Sequence, residues 1–93
     1  MIVGVLRAEL RLGGTRSLKD KRRIIRSLLD RAWRQYRVAA AEVDRQDSVR
    51  HATLGFACVS AASDHATQVL ARVTGLIERD AQVELIDYAV EIL

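Results

Sequence analysis

The chain has 93 residues, 49% of them apolar and 29% charged, with a net charge of +3. That length makes one domain with a thin core, burying somewhat over ~60% of its unfolded surface, and the apolar fraction excludes disorder. The single cysteine, Cys58, excludes an internal disulfide framework, and with no apolar run near the ~20 residues of a membrane span and no export leader, a soluble cytoplasmic protein is expected.

Residues 1–12 alternate in polarity. Ile2, Leu6, Ala8, Leu10 and Leu12 share one strand face and Val3, Val5, Arg7, Glu9 and Arg11 the other, so the first set is expected to face the core. Gly13-Gly14 ends the strand. Ser17 stands three residues before Asp20, an N-cap followed by an acid in the first helical turn. From Leu18, apolar residues recur at Ile25, Leu28, Leu29, Ala32 and Tyr36, which predicts an amphipathic helix. A short strand is expected from Val38 to about Asp44. A polar turn over 45–50 follows, then a third strand from Ala52 to about Ser60.

Ser63 or Asp64 is expected to cap a second helix, whose Ala66, Val69, Leu70, Val73, Leu76 and Ile77 recur at helical spacing. The last stretch, Gln82 to Leu93, alternates again. It would turn Ile86, Tyr88, Val90 and Ile92 inward and Leu85, Asp87, Ala89 and Glu91 outward. The order is βαββαβ. Two right-handed crossovers joined by a hairpin predict an α+β ferredoxin-like sandwich, an antiparallel sheet of order 4-1-3-2 with both helices on one face.

Several segments also resemble a known family: Ser17-Leu18-Lys19-x-Lys21-Arg22-Arg23, Ala41-Glu42-Val43-Asp44-x-Gln46-Asp47, Leu54-Gly55-Phe56, and the Val-Glu-Leu and Val-Glu-Ile-Leu pieces of the last strand. Together they are similar to the bacterial YlxP-like proteins, a domain of unknown function, over essentially the whole chain. The resemblance implies the same fold. Because such proteins are encoded beside translation-initiation and ribosome-maturation genes, it also implies a ribosomal or RNA role by association.

Charge is the strongest pointer to a partner. Residues 16–37 hold nine basic residues against two acids, a net +7, whereas residues 38–93 sum to −5. At 100° per residue Lys19, Arg22, Arg23, Arg26 and Arg34 fall away from the apolar stripe, forming a ridge suited to a polyanion. Arg16, Lys19, Lys21, Arg22 and Arg23 surround the helix start, where free N–H groups favour anions. The spacing is not that of a nucleotide-binding loop. RNA phosphates or a ribosomal subunit are the expected partners, with no cofactor, metal, membrane or small-molecule substrate.

The open sheet face offers a second surface. Leu54 to Val59 looks like the third-strand motif of RNA-recognition domains, yet supplies one aromatic where base stacking uses several. If Phe56 points outward, so do Leu54 and Cys58, joining Val3, Val5 and Leu85 in an apolar patch that a homodimer would cover. The opposite parity would send Phe56 to the core and expose Gly55, Ala57 and Val59.

The remaining candidates are weaker. Glu42 and Asp44, read as sharing a strand face, together with Asp47 could hold a hard cation, or contact Arg45, Arg50 or a partner. His51 and His65 lack neighbours at ligand spacing, and Cys58 reads as a packing residue. Trp33, at the edge of the stripe beside Arg26 and Arg37, is read as cover for the core margin; an exposed indole there would add an RNA or protein contact. Acylphosphatases share the topology and use an arginine before the first helix, as Arg16 stands here. They also need an asparagine, and this chain has none. The expected protein is a binding module, not an enzyme.

Overall fold

The computed structural model describes residues 1–93. Strand β1 (Ile2–Arg11) leads to helix α1 (Leu18–Tyr36), then strands β2 (Ala39–Asp44) and β3 (His51–Ser60), helix α2 (Ser63–Glu78) and strand β4 (Glu84–Ile92). All three strand pairs are antiparallel and the sheet order is β2-β3-β1-β4, the expected ferredoxin-like order read from the other edge. No helix is long and apolar enough to cross a membrane.

The core lies between the sheet and the helices. Leu6, Ala8, Leu10 and Leu12 of the first strand segment are buried against Ile25, Leu28 and Ala32 of α1 and Leu70, Val73 and Ile77 of α2. α1 starts as expected: the Ser17 hydroxyl accepts from Asp20 N at 3.1 Å, while the Asp20 carboxylate accepts from Arg16 N at 3.3 Å. It ends on Arg37 in the left-handed region (φ 55°), whose N–H reaches Trp33 O at 2.9 Å. α2 departs by a residue from the expectation. Its cap is Ala62, whose side chain cannot accept, and the Ser60 hydroxyl takes the Ala62 N–H instead.

Strand β3 corrects the outward reading of Leu54 and Phe56. Leu6 pairs with Phe56 and Ala8 with Leu54, so both large side chains face the helices, 0% and 2% exposed. Both faces of β3 are apolar, and volume decides between them. Burying a Leu or Phe contributes about 1.5–3 kcal/mol, whereas Gly55 and Ala57 have little to bury. Gly55 also fits the open face for a steric reason: a Cβ there would lie 2.9 Å from Val43 Cγ1.

Two β-bulges change facing elsewhere, because one extra residue inverts the alternation beyond it. In β4, Asp87 pairs with Glu9 but Leu85 with Leu10, leaving Ile86 as the extra residue. Leu85 is thereby carried off the open face onto the core, against which it packs. Tyr88, Val90 and Ile92 do take the helix side, opposite Ala8, Leu6 and Gly4, yet stay 53%, 42% and 36% exposed on this edge strand. In β2, Glu42 pairs with Leu54 but Asp44 with Thr53. Glu42 therefore faces the helices and Asp44 the open side, contrary to the expected shared face.

Candidate nucleic-acid interface

Arg16, Lys19, Arg22, Arg23 and Arg26 are all exposed, on α1 or one residue before its cap. None of their side chains has a carboxylate partner within ion-pair distance. Four of them, with Asp20, Ser27 and Asp30, line a shallow trough along the helix. Arg34 differs: its Nε lies 3.1 Å from Asp30, one turn back.

Helix stability does not account for this arrangement. Lys19, Arg22, Arg23 and Arg26 make like-charge neighbours at three- and four-residue spacing, each unfavourable by about 0.2–0.5 kcal/mol. Lys19 also lies in the first turn of α1, where the macrodipole favours anions. The ridge opposes its own helix and is relieved by any anion laid along it. Lys19 to Arg26 spans about 10 Å of helix axis.

Lys21 is not part of that surface, correcting its expected place at an anion site. It is fully buried, on the same side of α1 as Ile25 and Leu28. Its Nζ donates to the carbonyls of Arg45, Ser48 and His51 at 2.7, 2.6 and 2.8 Å. Glu42 Oε2 lies 2.9 Å away. An ammonium has three protons. With all three given to carbonyls, Glu42 is held by charge, which is why its buried Oε2 receives no hydrogen bond. The bulge in β2 is what turns Glu42 toward this lysine.

The buried ammonium pins the 45–50 turn, which is braced further by the chain before α1. The Thr15 hydroxyl shares its proton between the carbonyls of Leu12 and Val49, at 2.9 and 2.7 Å. Leu12 N donates to Arg50 O at 2.8 Å. Arg50 therefore joins Arg16 at the end of the molecule from which α1 starts. Between Gly13-Gly14, the first turns of α1 and residues 81–84 lies a cleft of about 510 Å³, with Arg11 and Arg23 in its wall. Arg11 is engaged there by Glu84 at 2.6 Å.

The acidic trio does not converge. Glu42 serves Lys21, while Asp44 lies 3.7 Å from Arg7 on the open face and accepts from Arg45 N. Thr53 donates to Glu9 in the same polar half of that face. Cys58 is buried, and His65 bonds Ser60. Trp33 is 53% exposed, on the flank of α1 between Arg22 and Arg26. Sequence reasoning missed the role of Lys21. The signal for Lys21 was present, since 18, 21, 25, 28 and 32 continue one helical stripe at spacings of three and four.

Comparison with known proteins agrees with this architecture's expected kinship. The family described as "Protein of unknown function (DUF503)" matches residues 3–90. The chain is also similar to "Uncharacterized protein YlxP" of Bacillus subtilis (strain 168), with 26% identity over 83 residues, 89% of this chain and 90% of that protein.

Proposed function

The chain belongs to the DUF503 family, and we propose that it is a small non-catalytic protein that contacts RNA phosphates, in free RNA or on a ribosomal subunit, through α1. The observation that carries this reading is the set of five exposed, unpaired cations at Arg16, Lys19, Arg22, Arg23 and Arg26. Their placement disfavours the isolated helix, so an external anion is the natural counter-charge. Phosphates are regularly spaced anions along a rod, and a helix face of free guanidinium groups meets several at once. The reading describes a cytoplasmic accessory factor of ribosome maturation.

Co-sedimentation with small and large ribosomal subunits at low salt tests it. The parent protein is expected to pellet with at least one subunit, and Arg22→Glu/Arg23→Glu/Arg26→Glu to stay in the supernatant. Equal retention of both proteins would reject α1 as the contact.

A second reading concerns the open sheet face, and it is compatible with the first because both helices lie on the other side. Val3, Val5 and Ala57 continue there into Val59 and Val43, which are 68% and 46% exposed. A second copy of the chain would cover this apolar half. A monomeric mass by light scattering at micromolar concentration would reject it.

A further inference from the structure

Resting on that reading of α1, we infer that Trp33 is a stacking element for an unpaired RNA base, so that the partner is RNA with a single-stranded segment beside a phosphate-rich stretch. Trp33 is the chain's one tryptophan and is 53% exposed. Tryptophan is ordinarily among the more buried side chains on average. At 100° per residue it falls between Arg22 and Arg26 on the flank of α1, about 10 Å beyond Arg26 along the axis.

The indole is also held. Arg37 adopts the left-handed conformation that closes the helix, and its guanidinium sits 5.7 Å from the Trp33 ring centroid. A cation over one side of an aromatic ring extends the platform on which a base can stack. The Asp30–Arg34 pair lies on the neighbouring turn.

Two chemistries are therefore set in sequence along one helix: phosphate contacts over Lys19–Arg26, then an aromatic face. About 10 Å corresponds to roughly three nucleotide steps at the ~3.4 Å rise of one strand. A fully paired duplex keeps its bases stacked inside and has nothing to offer the indole. A loop, bulge or overhang has a free base face, and base–aromatic stacking is tolerant of sequence.

The test uses the intact chain and two RNA probes, a blunt duplex and the same duplex with a short single-stranded overhang. The overhang probe is expected to quench Trp33 emission, and the blunt duplex to bind without quenching. Trp33→Leu is expected to weaken overhang binding about 5- to 150-fold while leaving duplex affinity within about twofold, with Trp33→Phe intermediate. The salt dependence of Trp33→Leu should match the parent, since no phosphate contact is removed. Equal binding of both probes by parent and variant would overturn the stacking role, as would equal loss on both probes. Failure of the parent to bind either probe at low salt would instead remove the phosphate reading of α1, and this inference with it.

Discussion

Replacing Lys21 by Met tests whether a buried ammonium organises the end of the molecule that carries the basic surface. Methionine is apolar, flexible and adaptable in packing, so it keeps much of the packing and deletes the charge. Three carbonyls at 2.6–2.8 Å lose their donor, and Glu42 is left largely buried without a counter-charge. Breaking a buried pair from one side costs about 3–5 kcal/mol, a large share of the roughly 5–15 kcal/mol that holds a native domain. At about 4–8 °C per kcal/mol for a domain of this size, Tm should fall by roughly 12–40 °C. Glu42→Gln should cost clearly less, because Lys21 keeps all three carbonyls. Lys21→Met/Glu42→Leu should recover part of the loss, since no unpaired charge then remains. Urea unfolding at constant m value is the assay, and the loss should be similar at low and high salt because a buried pair is poorly screened. A Lys21→Met protein within about 1 kcal/mol of the parent, against the ~3–5 kcal/mol of a broken buried pair, would refute the reasoning.

Two further substitutions probe the facing of β3. Phe56→Ala should destabilise by about 3–5 kcal/mol as a core cavity and leave the oligomeric mass unchanged, measured by denaturation and light scattering. A change of mass without loss of stability would contradict its burial. Gly55→Ala places a Cβ 2.9 Å from Val43 Cγ1 and should destabilise by about 1–3 kcal/mol. Val43→Ala in the same chain should restore most of that loss, and strict additivity of the two changes would count against the contact.

Element type and order were legible because the periods are clean: twofold alternation in β1 and the 3.6-residue stripes of α1 and α2 leave little room for another topology. Facing was less legible. In β3 every position from Leu54 to Val59 is apolar or glycine, so alternation carries no information and side-chain volume decides. In β2 and β4 a bulge inverts the pattern midway, and nothing local in Glu42-Val43-Asp44 or Leu85-Ile86-Asp87 announces the extra residue.

The candidate site was legible as charge and not as contacts. Composition located the cations of α1 but treated Lys21 like its neighbours, although it continues the apolar stripe. Its burial depends on three backbone carbonyls and a glutamate contributed by residues 42–51. Such partners come from tertiary structure alone.

The salt dependence of RNA affinity measures directly whether the free cations of α1 neutralise phosphates. For the parent, log K should fall steeply and linearly with log salt. In Arg22→Gln/Arg23→Gln/Arg26→Gln the slope should shrink by about 2–3, at roughly 0.7–0.9 per phosphate contact removed. Parallel lines for the two proteins would contradict that neutralisation.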